Sequence, residues 1–208
     1  MEKPVLYHVY DPMCSWCWGY RDTWLKLSDA LSSVDIEIQY QLGGLAPDSD
    51  MPMPIEMQQT LQGIWRNINA KLGTQFNFDF WTHCQPQRST YPACRACLIA
   101  RSENKEKEML FAIQQAYYLQ AKNPSLVDTL SSLATEIGFD KAWFEQQLVD
   151  DQINQQFIYE LNQTHQLPVQ GFPSLVLSIK GQNVPIRIDY IDWQKTFAQI
   201  TKLLVSKA

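Results

Sequence analysis

The sequence predicts an α/β fold in which a βαβ unit at the N-terminus and a ββα unit at the C-terminus enclose a large all-helical insertion. Three observations carry this reading. β-Prone apolar runs occur only towards the two ends of the chain, the stretch between them has helical periodicity punctuated by proline, and no Gly/Ser-rich or Pro-rich linker cuts the chain into independent pieces. The two ends together complete one small sheet. Residues 1–46 and 166–208 therefore read as one domain, with residues 47–165 inserted into it.

Val5-Leu6-Tyr7-His8-Val9-Tyr10 is the first strand. A helix follows over 18–32, with Trp18, Trp24, Leu25, Leu27 and Leu31 as its apolar positions. Ile36 to Leu42 alternates with period two, as a half-buried strand does, and Gly43-Gly44 ends it. A right-handed crossover makes these two strands parallel. Pro47, Pro52 and Pro54 mark a loop, after which 55–72 reads as helix. Residues 77–91 are irregular. A long helix is expected over 92–121, capped by Ser89 or Thr90 and carrying Pro92 in its first turn. Further helices are expected over 125–137, 140–149 and 150–164, with Gly138 ending the first of them. Strands return at 173–179 and 184–188, as a hairpin around Lys180-Gly181-Gln182-Asn183, and a final helix runs over 192–205 with Asp192 as its cap.

Composition narrows the function classes. At 45% hydrophobic and 19% charged the chain is an ordinary globular protein, with no disordered or low-complexity tract. A formal net charge of −5 and the lack of a basic stripe argue against nucleic-acid binding. The one charge cluster, Arg101 to Glu108, mixes signs and reads as a solvated helix face or turn. No window approaches the ~18 apolar residues of a membrane span, and no charged stretch precedes a short apolar segment as in a secretory leader. The expected location is the cytoplasm. Five cysteines are an odd number, which excludes a complete disulfide framework, and most should be free thiols.

The chemistry concentrates in Cys14-Ser15-Trp16-Cys17, where the first strand hands over to the first helix. A cysteine at a helix N-terminus meets unpaired N–H groups and the positive end of the macrodipole, which favour thiolate over thiol. The second cysteine lies one turn further in, within reach of a mixed disulfide on the first. Gly171-Phe172-Pro173-Ser174 opens the third strand, a position where proline removes no ladder bond.

Strand–Asp11-Pro12-Met13-Cys14-Ser15-Trp16-Cys17–helix, a long helical insertion, then Gly171-Phe172-Pro173-Ser174 before a hairpin and a last helix resembles the DsbA-like thioredoxin-fold superfamily. Residues Asp11 to Tyr20 resemble in particular its cytoplasmic FrnE-like branch of predicted disulfide isomerases. The topology covers nearly the whole chain and the sharp motifs about 15 residues. The resemblance implies a thioredoxin-like domain and a dithiol–disulfide oxidoreductase, with Cys14 as nucleophile, Cys17 as resolving thiol and Pro173 as a cis-proline. A cis bond there would turn the backbone of Phe172 towards Cys14, ready to pair with an extended peptide. Its substrates would be protein or peptide thiols and disulfides, with glutathione as a conceivable co-substrate and no resident cofactor, in a monomer or homodimer. The chain departs from periplasmic DsbA in having Ser15-Trp16 rather than Pro-His between the cysteines. No imidazole then donates to the Cys14 thiolate, which argues against a strong oxidant.

Several side chains have two readings. His8, six residues before Cys14, stands where the superfamily often holds a buried acid that handles the Cys17 proton. It is either a neutral proton acceptor or a half-buried strand histidine satisfied by the backbone. Asp11 either bonds loop amides or modulates the thiols electrostatically. Trp16 should be exposed between the cysteines as a docking surface for an apolar ligand, and Trp18 should pack in the core. Phe172 either frames the groove from the far side or simply packs.

Two rival functions remain open. One is a glutathione-dependent enzyme of the kappa-class transferase or 2-hydroxychromene-2-carboxylate isomerase type. Those relatives carry a serine where this chain has Cys14, so the CxxC argues against it. The other is a metal-binding module using Cys14/Cys17 with Cys94/Cys97, and conceivably Cys84. Structural zinc wants four closely spaced ligands, and the bland reading of Cys84, Cys94 and Cys97 is free thiols. His83, His165 and the Met51-Pro52-Met53-Pro54 segment have no evident chemical role.

Overall fold

A computed structural model describes residues 3–206, so the first and last two residues of the outer segments lie outside the described residues. Strand β1 (Val5–Tyr10) leads into α1 (Ser15–Leu31) and then β2 (Glu37–Leu42). Seven helices follow: α2 (Ile55–Leu72), the short α3 (Phe80–His83), α4 (Tyr91–Ser102), α5 (Glu106–Tyr118), α6 (Val127–Glu136), α7 (Lys141–Leu148) and α8 (Asp151–Gln166). The hairpin β3 (Ser174–Ile179) and β4 (Gln182–Ile186) and helix α9 (Trp193–Ser206) close the chain.

The four strands form one sheet in the order β2-β1-β3-β4. β1 pairs parallel with β2 and antiparallel with β3, and β3 pairs antiparallel with β4. The parallel β1/β2 pair is the expected consequence of the crossover through α1. Lys180 and Gly181, both at positive φ, make the two-residue turn that matches the twist of the hairpin. Leu6, Leu175 and Leu177 on the sheet pack with Tyr20, Trp24 and Leu27 of α1 and Ile200 of α9. A second buried cluster joins Tyr10 and Leu42 to the inserted helices, with Trp65, Phe80, Tyr118 and Phe157 among its largest members.

The helix expected over 92–121 is two helices. The polar run after Ser102 breaks it, Asn104 adopts a left-handed φ of 57°, and the Lys105 N–H returns to the Ala100 carbonyl at 2.8 Å. Arg101 then folds back on Glu106. Thr90 sits at the N-cap of α4 without capping it, because its hydroxyl is engaged by Asp11. α1 begins three residues earlier than the apolar pattern suggests, at Ser15, so that Cys14 is its N-cap. Gly138, at φ 90°, follows α6 as expected, and the Asp192 carboxylate accepts from the Gln194 N–H in the first turn of α9. Asp140 and Asp150 cap α7 and α8 in the same way.

One polar network fastens the inserted helices to the sheet. Arg101 donates to Glu106 (Nη2 to Oε1, 2.6 Å) and to Glu160 (Nη1 to Oε2, 2.7 Å). Glu106 also accepts from the Tyr10 hydroxyl at 2.7 Å, and Glu160 from the Leu42 N–H at 2.7 Å. The Thr164 hydroxyl donates to the Leu42 carbonyl at 2.8 Å. These contacts tie the ends of β1 and β2 to α4, α5 and α8. Removing one partner of a largely buried charge cluster strands the others, which typically costs several kcal/mol. Arg101→Met should therefore lower the unfolding free energy by about 3 kcal/mol, read as the shift of the urea midpoint. An unchanged midpoint would show that the network contributes nothing.

Candidate active site

Asp11 organises the turn between β1 and α1. It is fully buried, and its two carboxylate oxygens collect four donors: the Met13 N–H (2.8 Å) on one, and the Leu45 N–H (2.7 Å), the Thr90 hydroxyl (2.7 Å) and the Cys94 thiol (3.5 Å) on the other. Burial pushes its carboxyl up from the ordinary range, and the hydrogen bonds from Leu45, Thr90 and Met13 oppose that shift. The Asp11 carbonyl in turn accepts the Cys14 N–H at 3.0 Å. Of its two readings from sequence, the loop-amide role is the one the geometry displays, and the side chain also reaches a hydroxyl and a thiol.

Cys14 is 7% exposed at the N-cap of α1. Its thiol donates to the Phe172 carbonyl at 3.3 Å, and the Phe172–Pro173 peptide bond is cis. The Phe172 ring lies over Gly43, where a Cβ atom would stand 2.3 Å from it, so any side chain there would have to displace the ring. Cys17 is buried one turn further into α1. Burial pushes its thiol well above the usual range, and a hydrogen bond to the Cys14 side chain adds to this. Both cysteines are free thiols.

Ser15, between them, accepts the Trp65 indole N–H at 2.9 Å. Trp65 on α2 is fully buried, against Phe76, Phe78, Phe80, Trp81, Tyr117 and Tyr118. Trp16 is half-buried, edge-on to Tyr190 at 5.2 Å, and so less open than its place between the cysteines suggests. Trp18 is also half-buried rather than interior: it stacks on Tyr118 and donates to the Gln75 carbonyl at 3.0 Å.

Two cavities meet the thiol pair from different sides. One of about 230 Å³ is lined by Cys14, Trp16 and Phe172, by apolar side chains including Met13, Met53 and Ile64, and by Arg88. The other, of about 280 Å³, is lined by Cys17, His8, Tyr40, Arg21, Phe111 and Gln114, among others.

His8 departs from the reading of a half-buried strand histidine satisfied by the backbone. It is 5% exposed rather than half-buried, its Nδ1 has no hydrogen-bond partner among the described residues, and its ring stacks on Trp24 at 4.0 Å. Burial lowers its pKa to about 3, leaving it neutral but a poor acceptor for a proton from a thiol that titrates high.

Cys94 and Cys97 are buried on α4, where the Cys94 thiol donates to Asp11, and Cys84 donates to the Ala121 carbonyl at 2.9 Å. Among the described residues no group of three or more His, Cys, Asp or Glu is arranged to hold a metal ion. Among the described residues no helix is long and apolar enough to cross a membrane. Thr90, Trp65, Arg88 and Gly43 bear on the site and went unrecognised in the sequence. Each is an isolated residue whose relation to Cys14 exists only in three dimensions.

A family model described as thioredoxin matches residues 7–188. The chain belongs to the thioredoxin family. It is similar to a putative protein disulfide isomerase from Nitrosomonas europaea (24% identity, all of both chains, TM-score 0.85). It is also similar to the cytosolic disulfide reductase DsbM from Pseudomonas aeruginosa with GSH (19% identity, 96% of this chain and 98% of that one, TM-score 0.73). The uncharacterized protein YwbO of Bacillus subtilis (strain 168) is 25% identical over 142 residues, 66% of this chain and 68% of its own. At these identities the two structures show a shared, DsbA-like thioredoxin fold.

The buried imidazole gives a pH test. His8 titrates near 6.5 when unfolded and about 3 when folded, so its contribution is intact above pH 6.5. Stability is then lost as pH falls towards 3, by about 1.4 kcal/mol per unit. His8→Phe, which keeps a ring against Trp24, should lack this slope. Between pH 7 and 4 the wild type should lose about 3 kcal/mol more than the variant in urea unfolding. Parallel profiles would mean that the imidazole finds a partner.

Proposed function

We propose that this protein is a thiol–disulfide oxidoreductase working through Cys14 and Cys17, with Pro173 and Phe172 forming the substrate-facing wall. The single observation that carries this reading is the contact of Cys14 with the Phe172 carbonyl beside Pro173, with Cys17 buried one helical turn below. The Cys14 sulfur faces the cavity beside Phe172, which Cys17 does not line, and we assign the first attack to Cys14 on that ground.

The Cys14 thiolate attacks a substrate disulfide RSSR, forming a Cys14–SR mixed disulfide and releasing RS⁻. Cys17 then attacks the Cys14 sulfur. The Cys14–Cys17 bond forms, the Cys14–SR bond breaks, and the departing thiolate takes up the proton that Cys17 gives up. The protein dithiol is oxidised and the substrate disulfide reduced to two thiols; the reverse sequence oxidises a dithiol with the same atoms. Because Cys17 is held protonated by burial, it serves poorly as the first nucleophile and suits the second step. Asp11 acts as a positioning residue for the Cys14 turn, and Ser15 fixes the first turn of α1 to Trp65. Trp16 and Phe172 offer apolar contact to a peptide or small disulfide.

The substrate class is protein or peptide thiols and disulfides, and glutathione is proposed as a small thiol partner, as in the DsbM structure with GSH. We place the activity in the cytoplasm, where a reducing thiol pool would regenerate the dithiol.

In an insulin-reduction assay, Cys14→Ser should abolish turnover. Cys17→Ser should instead accumulate a covalent mixed disulfide, seen by mass spectrometry and released by dithiothreitol. Equal activity in the two variants would falsify the division of labour. Conjugation of glutathione to an electrophile without disulfide exchange would point to the transferase or isomerase chemistry of the fold instead.

A further inference from the structure

The cavity beside Cys14 carries one charge. Arg88 is the only ionisable lining residue apart from Cys14 itself and Tyr117, and the rest of the wall is mainly apolar. The side chain is half-buried and has no hydrogen-bond or ion-pair partner among the described residues. Arg95 and Arg101, by contrast, are both paired with carboxylates. A guanidinium drawn partly out of water and left unpaired beside apolar groups gains more from an incoming anion than one free in solvent.

The backbone segment that carries Arg88 is pinned on both sides. The Met53 N–H donates to the Pro86 carbonyl at 2.8 Å, the Gln87 side chain to the Asp50 carbonyl at 3.3 Å, and the Thr90 N–H to the Ala46 carbonyl at 3.0 Å. The Thr90 hydroxyl then binds Asp11, whose own carbonyl holds the Cys14 N–H. Arg88 and the reactive sulfur are thus mounted on one hydrogen-bonded frame. At about 230 Å³ the cavity is smaller than the ~300–1,000 Å³ typical of drug-sized sites. It suits one arm of a small disulfide.

We infer that Arg88 recognises the carboxylate of a low-molecular-weight thiol, so that the site prefers small anionic disulfides to neutral or cationic ones of the same length. This rests on the dithiol reading above and concerns only which disulfide that dithiol meets. The reaction is the same exchange: protein dithiol plus RSSR gives protein disulfide plus two RSH.

The test uses the reduced protein in single-turnover reactions with three small disulfides that differ in charge and by at most one atom in the length of each arm. These are 3,3′-dithiodipropionate (anionic), bis(2-hydroxyethyl) disulfide (neutral) and cystamine (cationic), with glutathione disulfide as a fourth. Protein thiols are counted by alkylation at timed intervals. Each rate constant is divided by that of the same disulfide with free cysteine, which removes intrinsic reactivity. Arg88→Gln should lower the anionic-to-neutral ratio by about tenfold, Arg88→Lys should retain most of it, and Arg88→Glu should invert the order of the anionic and cationic disulfides. The wild-type preference should shrink at high salt. Ratios unchanged in Arg88→Gln and Arg88→Glu would overturn the assignment while leaving the dithiol chemistry standing. A wild-type protein that reacts with none of the disulfides would remove the dithiol reading and this inference with it.

Discussion

The site depends on one buried carboxylate. Asp11 gathers donors from its own turn, from the loop after β2 and from the start of α4, segments that are far apart in the chain. Desolvation works against an ionised group there, and the converging donors offset it. The result is a rigid junction: the same residue that shapes the turn before Cys14 also anchors the segments that wall the neighbouring cavity. Loss of the Thr90 hydroxyl would therefore reach Cys14 through Asp11.

The inserted helices build the site as much as the sheet does. Trp65 of α2 holds Ser15 from within an aromatic cluster, and Arg101, Glu106 and Glu160 bind the ends of β1 and β2. The β1–α1 turn is thereby gripped from two directions. Such a scaffold holds a reacting sulfur in register with a partner backbone, here the Phe172 carbonyl.

Environment separates the two thiols. Cys14 meets the cavity walled by Phe172, to whose carbonyl it donates, whereas Cys17 lines a second cavity on the side of His8, and burial and its neighbour push its thiol well up. His8, close by, is neutral for the same reason, since desolvation disfavours charge of either sign. Desolvation of this kind makes the imidazole a weak base towards Cys17. The proposed exchange accordingly passes its proton to the departing thiolate.

Local sequence patterns determined much of this protein. Alternating strands, proline-broken helices and the strand-to-helix placement of Cys14 and Cys17 are short-range signals, set by backbone geometry and side-chain periodicity, and they specified the α/β architecture and the thiol pair. Where a local signal was ambiguous it misled. The apolar rhythm of 92–121 hid the break at Asn104, and Thr90, well placed to cap a helix, was taken by Asp11. Tertiary structure alone decided that His8 is buried without a partner for Nδ1, that Gly43 clears space for Phe172, and that Arg88 shares a cavity with Cys14. Burial, close approach and charge pairing are properties of residues brought together from distant parts of the chain, and no window of sequence contains them.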